Sequence, residues 1–495
     1  MDDPTLRDPL LDRALLVWSA AMGVLACVVS VPAVGEVLFR GTFVQDADEV
    51  IRAWYGRCAF KNASVIPHSH LSMPGWTAVL ALGEGLGRLL GLPLTLPGRL
   101  VSVAAGAWLL RNGAGLVRSA GGSVRLGRVA AALVACSPAF FLLTLTVYAE
   151  VAFAALLVAA FRAQLEGRVR AAALLAGLSP LVRWEGGLVL GLLAAVFASE
   201  RRWRALLWLG LPYAAYLASN TLHFGDPLRP LANRTTETVF GAWRVLNSRV
   251  PGPLLREAAA NLAILVSPVV LLGGLALAPW SLRHPRLRPL AFGATGLLAT
   301  MLLIWHDTEV WSLRVFLPPT VLAVLGCCAA MAASSARVRR VGVGVLVAAT
   351  LVTALVSWRW IDGLKIPAPG RFRSELGYHM VVRAADATEA LERVHDELAD
   401  PSLRWVLTSH MNANLLRADP TCTLYDHPLH LGVPRLSLTP RFLPRLALPD
   451  GDGLWVSHAG PIHEPGCTEV ARFPEAGQWL ARCRATTPPA SRTAE

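Results

Sequence analysis

Four short stretches of the chain concentrate acids, or acids and an arginine, at the edges of apolar runs. The first is Phe43-Val-Gln-Asp46-Ala-Asp48-Glu49, three acids within four positions directly after an apolar run. A carboxylate there could take a proton from an attacking hydroxyl, as a general base does. The ordinary alternative is a solvated acidic helix start, favoured by the helix dipole. The second is Thr146-Val-Tyr148-Ala-Glu150, whose acid could equally be a helix cap. The third, Leu181-Val-Arg183-Trp-Glu185-Gly-Gly187, sets a charged pair between two apolar runs. It reads as part of a site or as a simple ion-paired turn, and its two glycines would permit a tight reversal. The fourth is Trp305-His306-Asp307-Thr-Glu309-Val-Trp311-Ser-Leu-Arg314. Arg314 could grip a lipid phosphate through two parallel hydrogen bonds, or only snorkel to an interface. His68-Ser-His70 offers two metal ligands, but no third ligand has matching spacing, so no metal site is assigned.

The elements that position these residues are membrane helices. Of 495 residues 54% are hydrophobic and only 16% charged, and the mean hydropathy is +0.47. Apolar runs recur from Trp18 to Trp358, too many and too long for the core helices of a soluble domain. The run Leu15–Val34 lacks a basic segment before it and an Ala-x-Ala site after it, so it reads as a retained helix. The net charge of +12 sits largely in short loops between apolar runs, where arginine signals topology and not nucleic-acid binding. No P-loop and no glycine fingerprint after a strand is present.

Five loops are rich in arginine: 118/125/128, 162/168/170, 201/202/204, 283/286/288 and 337/339/340. Placing all five in the cytoplasm predicts about eleven crossings, at 14–34, 97–117, 129–146, 150–163, 171–183, 186–199, 205–222, 258–281, 289–304, 315–333 and 341–358. This counting ignores the acids, yet it puts all four clusters on the non-cytoplasmic face. Carboxylates so close to a bilayer pair, face water or work, because burying one alone is costly.

The domains follow. Residues 1–362 form an all-α polytopic membrane domain whose first external loop, 35–96, contains an amphipathic interfacial helix over 74–92 with Glu84 and Arg88 at helical spacing. Residues 363–485 form a small extracytoplasmic α/β domain: a helix over 388–398, strands at 403–408 and 454–457, and a helix through 412–417 before Cys422–Tyr425. Residues 486–495 are a disordered tail. Cys27, Cys136, Cys327 and Cys328 fall within spans as core residues. Cys58, Cys422, Cys467 and Cys483 fall outside, where a disulfide within the tail domain suits an oxidising compartment.

These stretches resemble the motifs of the C-type (GT-C) membrane glycosyltransferases, a superfamily that includes protein O-mannosyltransferases, the aminoarabinose transferase, the GPI mannosyltransferases and the catalytic subunit of oligosaccharyltransferase. The resemblance covers about residues 13–335. Asp46, with Val50 and Ala53 after it, looks like the essential acid that follows the first helix, and Asp48 is the second candidate. His70-Leu-Ser-Met-Pro74-Gly75 is similar to the His-Pro-Pro-like start of the interfacial helix. Ser137-Pro138 followed by Tyr148-Ala-Glu150 resembles the Ser-Pro…Tyr-Ser-Glu pattern of mannosyltransferase-like members. Arg183-Trp-Glu185-Gly186 resembles their Arg-Pro-Glu-Gly turn, with Trp184 in place of Pro. Arg314-Val-Phe-Leu-Pro318 is similar to an Arg-Tyr…Pro helix start, with Val315 in place of Tyr. The Trp-Trp-Asp-Tyr-Gly motif of oligosaccharyltransferases is missing.

The resemblance implies inverting transfer of a sugar from a polyprenyl-phosphate donor to a hydroxyl on an acceptor glycan, lipid or protein, at the extracytoplasmic face of the inner or plasma membrane. Asp46 or Asp48 would activate the acceptor, and Arg314 would contact the donor phosphate. Glu49, His70, Glu150, Arg183, Glu185 and His306 would contribute to substrate binding. Some members use a divalent cation and many use none, so no cofactor is assigned. The alternative is a polytopic transporter or lipid flippase, which would place ionisable groups near mid-membrane on broken helices, often in repeats. Here the charges lie at span ends and no repeat is visible.

Overall fold

A computed structural model describes residues 8–30, most of 52–60, nearly all of 73–224, residues 284–307, and nearly all of 317–363. In the C-terminal part it describes short pieces between 393 and 403 and five strands. For 301–307 and 356–363 only the backbone is described. The described helices are α1 (Pro9–Ser30), α2 (Pro74–Leu89), α3 (Leu96–Ser119), α4 (Val124–Ala135), α5 (Pro138–Thr144), α6 (Glu150–Leu165), α7 (Val169–Val182), α8 (Gly186–Ser199), α9 (Trp203–Phe224), α10 (Arg288–Asp307), α11 (Leu317–Ala332) and α12 (Ala336–Gly363).

Local chemistry sets several of their ends. Proline stands in the first turn of α2, α3 and α5, where its missing N–H costs nothing. The helices α2, α3 and α6 stop at Gly91, Gly121 and Gly167, each in the left-handed region that glycine enters freely. The predicted crossing 129–146 is two helices and not one. Pro138 cannot continue the preceding turn, so the chain breaks between Ala135 and Pro138.

At the centre lie α3 and α6, packed on each other. α3 also meets α1, α2, α4 and α11, and α6 also meets α7 and α11. α6 is alanine-rich and buried around most of its circumference, with Phe153, Leu157, Val158 and Phe161 inside. α7 carries the bundle onward to α8 and α9. Among the described residues three helices are long and apolar enough to cross a membrane, at Pro9–Val28, Leu96–Ser119 and Ala336–Leu355, and three shorter ones are mainly apolar. α1 and α12 leave Leu16, Val17, Leu351 and Leu355 exposed, a surface suited to lipid.

α2 departs from the expected interfacial pattern. Its buried side holds Trp76, Thr77, Leu80 and Glu84, while its exposed side shows Val79, Leu82, Leu86 and Leu89. Glu84 thus faces protein together with Trp76 and Leu80, while Arg88 lies among the exposed apolar residues.

α1 is fastened at both ends. At its start the Leu11 N–H donates to Asp8 Oδ1 at 3.1 Å. The Arg128 guanidinium grips the same carboxylate, Nη2 to Oδ1 at 2.7 Å and Nε to Oδ2 at 2.9 Å. That hydrogen bond holds the Asp8 carboxyl below its ordinary range. At its far end Ser30 Oγ accepts from Arg99 Nη1 at 3.0 Å. Between the two, Trp18 stacks on Phe140 of α5 with ring centroids 5.8 Å apart.

The C-terminal strands form one mixed sheet. They are β1 (Trp405–Thr408), β2 (Leu429–Leu431), β3 (Asp452–Ser457), β4 (Cys467–Phe473) and β5 (Gln478–Arg484), in the order β2-β1-β3-β5-β4. β1 pairs in parallel with β2 and β3, and the remaining pairs are antiparallel. The predicted strands at 403–408 and 454–457 are therefore neighbours. The tail disulfide joins Cys467 to Cys483, directly opposite across β4 and β5. Residues 412–417 and 422–425, with the rest of the helix predicted over 388–398 around its helical positions 393, 396 and 397, lie outside the described residues, as does Cys58. Cys327 and Cys328 are buried as expected, but Cys27 and Cys136 are exposed and not in the core, because each turns out of the bundle.

Candidate active site

The site is built where α6 begins and α7 ends. Glu150 is the first residue of α6, where the helix dipole favours a carboxylate. Arg183 follows the last residue of α7 in extended conformation, and Glu185 precedes the first residue of α8. The reversal between α7 and α8 is closed by Gly186 N–H to the Arg183 carbonyl at 2.9 Å and Gly187 N–H to the Trp184 carbonyl at 3.0 Å.

The two glycines do different things here. A Cβ on Gly186 would fall 2.4 Å from the Ser179 carbonyl carbon and 2.5 Å from the Pro180 nitrogen, whereas one on Gly187 would meet nothing within 4 Å. Neither is in the left-handed region. Close approach, and not the expected conformational freedom, requires glycine, and only at 186. Gly186→Ala is therefore expected to cost about 1–3 kcal/mol, the usual range for forced overpacking. It should lower the melting temperature in detergent, while Gly187→Ala melts with the parent.

Arg183 joins the two acids. Its Nη1 donates to Glu150 Oε1 in a close contact. Its Nη2 reaches Glu185 Oε1 at 2.6 Å and its Nε reaches Glu185 Oε2 at 3.1 Å, a two-point grip. Glu150 is 1% exposed and Glu185 3%, while the Arg183 side chain keeps 17% of its surface. Three charges, net −1, are thus drawn almost out of solvent at one spot. The ion-paired-turn reading of Arg183 and Glu185 is correct in itself, but the arginine also reaches across to the second cluster.

α2 wedges its first turn between these halves. Trp76 Nε1 donates to the Val147 carbonyl at 3.1 Å, on the segment that leads into Glu150. Gly75 lies against the Leu181 carbonyl, two residues before Arg183, so closely that a Cβ there would sit 2.8 Å from it. Tyr148 carries the Arg52 guanidinium 5.6 Å above its ring. Further along α2, Glu84 is fully buried. Its Oε1 accepts from Gly98 N–H at 2.9 Å and its Oε2 from Arg57 Nε at 3.2 Å. A carboxylate from one helix thereby caps the next, whose own cap residue Thr95 has φ +77° and supplies no side-chain cap.

Arg52, Arg57, Glu84, Arg99, Glu150, Arg183 and Glu185 thus gather at one end of the bundle. Inspection of the sequence missed the arginines at 52, 57 and 99 as members. Arg99 carried a usable signal, since an arginine inside an otherwise apolar helix start demands a partner. Of the predicted site residues, the structure brings together Glu150, Arg183 and Glu185. Asp46, Asp48, Glu49, His70 and Arg314 lie outside the described residues, and at His306 in α10 only the backbone is described. His68 is likewise outside, and among the described residues no three His, Cys, Asp or Glu side chains group as metal ligands.

No family model matches the chain and no curated protein sequence does. Solved structures do match. ArnT from Cupriavidus metallidurans bound to undecaprenyl phosphate aligns over 96% of this chain and 98% of its own, at 14% identity and a TM-score of 0.53. This chain has the ArnT fold. The apo state of the same protein aligns over 95% and 98%, at 15% identity and a TM-score of 0.46. The expected fold holds at the level of a mostly helical architecture with a small C-terminal sheet. The likeness does not single out the mannosyltransferase-like members.

Proposed function

We propose that this protein is a polytopic membrane glycosyltransferase that moves a sugar from a polyprenyl-phosphate donor to an acceptor hydroxyl on the extracytoplasmic side. The observation that carries this reading is the buried Glu150–Arg183–Glu185 group inside the fold of ArnT, a protein solved with undecaprenyl phosphate bound. Charges at such depth in a helical membrane bundle mark function more often than packing.

In the reaction the acceptor oxygen bonds to the anomeric carbon, the bond from that carbon to the phosphate oxygen breaks, and polyprenyl phosphate leaves. Asp46, with Asp48 as second candidate, takes the acceptor proton. Arg314 steadies the charge that grows on the leaving phosphate. Glu150 and Glu185 accept hydrogen bonds from sugar hydroxyls, with Glu49, His70 and His306 as further contacts. Since Arg183 is engaged by both glutamates, its part is to hold them in place. The membrane domain spans 1–362 and the α/β domain 363–485. The pairing of Cys467 with Cys483 supports an oxidising, extracytoplasmic location for the latter.

Mass spectrometry of lipid extracted from the purified protein tests the proposal. A co-purifying polyprenyl phosphate or its sugar ester, consumed when acceptor is supplied, is the expected result. A lipid that crosses vesicle leaflets without losing its sugar would favour the flippase alternative. Absence of any polyprenyl lipid, with no saturable undecaprenyl-phosphate binding, would remove the donor assignment.

A further inference from the structure

Four described helices end in the same reversal, and one of them breaks its own rule. In α2, α3 and α6 the N–H after the left-handed residue bonds back five residues: Leu92 to Gly87, Gly122 to Val117 and Arg168 to Ala163, at 2.8–2.9 Å. The left-handed positions are Gly91, Gly121 and Gly167. α8 ends identically, with Arg202 N–H on the Phe197 carbonyl at 2.8 Å and Arg201 N–H on the Ala198 carbonyl at 3.0 Å. Here the left-handed residue is Arg201, at φ +57°. An L side chain in that conformation meets its own carbonyl, a steric cost the three glycines avoid.

Nothing described in the protein offsets that cost. The Arg201 side chain is exposed and makes no ion pair or hydrogen bond with a described residue, and the same is true of Arg204; Arg202 pairs with Glu200 at 2.8 Å. These arginines stand at the foot of an exposed apolar face of α9 made by Trp203, Leu207, Trp208 and Leu211. Exposed indoles beside arginines are the pattern of a bilayer interface. α7 runs alongside α9, with Gly177 against the Leu209 carbonyl. At 1.5 Å per residue the starts of the two helices lie about 12 and 9 Å from that contact, close to one depth. The start of α7 adds exposed Arg168 and Arg170, so this rim holds five arginines against Glu166 and Glu200.

We propose that the rim formed by the α6–α7 and α8–α9 turns binds the headgroups of anionic phospholipids in the cytoplasmic leaflet, with Arg201 held left-handed to present its guanidinium at headgroup depth. Bulk charge for topology would not need an arginine at this one strained position, since Arg202 and Arg204 flank it. A phosphate diester supplies the missing partner through two parallel hydrogen bonds. The inference rests on the membrane reading and not on glycosyl transfer.

The test compares the parent with Arg201→Gly, Arg204→Gln and the control Arg337→Gln in nanodiscs of phosphatidylcholine, with and without phosphatidylglycerol. In pure phosphatidylcholine Arg201→Gly should melt at or above the parent, because the strain is gone. Phosphatidylglycerol should raise the parent melting temperature, and that rise should fall by half or more in Arg201→Gly and in Arg204→Gln. Native mass spectrometry should show fewer retained phosphatidylglycerol molecules in both. An unchanged rise in Arg201→Gly overturns the proposal, as does an equal loss in Arg337→Gln, which would indicate general surface charge. Inorganic phosphate reproducing the whole rise would assign the rim to free anions instead.

Discussion

Replacing Arg183 with alanine should abolish sugar transfer and lower the stability of the folded protein by about 3–5 kcal/mol, the range seen when one partner of a buried ion pair is removed. The reason is geometric. Glu150 and Glu185 are almost wholly enclosed, and one guanidinium touches both. Without it two buried carboxylates lose the guanidinium that lies between them. Arg183→Lys should recover only part of the loss, since an ammonium cannot reproduce the two-point grip on Glu185. The triple replacement Glu150→Gln, Arg183→Met, Glu185→Gln separates packing from function, because it removes the charges together. It should regain much of the melting temperature while remaining inactive. Thermal unfolding in detergent and a transfer assay read the two quantities independently. Parental activity in the surviving folded fraction of Arg183→Ala would take the group out of the site.

Asp46→Asn carries the second large effect, on rate alone. The amide keeps the size of the side chain and loses the ability to take a proton, so kcat should fall about 10²–10⁴-fold, the usual contribution of a positioned general base. Expression, melting temperature and undecaprenyl-phosphate binding should match the parent. Asp48→Asn is the paired experiment, because the two acids stand two positions apart and either could be the base. Near-parental turnover in both variants would end the assignment of a base to this segment.

Much of the scaffold was legible, and for a definite reason. Arginine loops and apolar length report where a chain leaves the bilayer, and the spans predicted at 97–117, 171–183 and 186–199 lie close to α3, α7 and α8. Length alone overlooked Pro138, which splits one predicted crossing into α4 and α5. Periodicity showed that Glu84 shares a stripe with other residues of α2, but it could not say which stripe meets protein. Glu84 turns inward and Arg88 outward, although the two stand one helical turn apart.

The triad was half visible. Glu150 and Arg183 could each be singled out by type and position at a span end. Their contact spans 33 residues and depends on α6 packing against α7, which no spacing in one sequence encodes. Arg52 drew no notice because its contact with the Tyr148 ring joins distant parts of the chain. At 14% identity to ArnT, placement in space survives where residue patterns have thinned out.

The two fastenings of the first helix bear on how the chain is made. Its Ser30 end waits for a residue 69 positions later and its Asp8 end for one 120 positions later. A ribosome delivers it before either partner, yet it settles only after α3 and α4 have been made. Nascent chains halted before position 128 should hold their earliest segment loosely, open to chaperones and to crosslinking, and those released beyond that point should not.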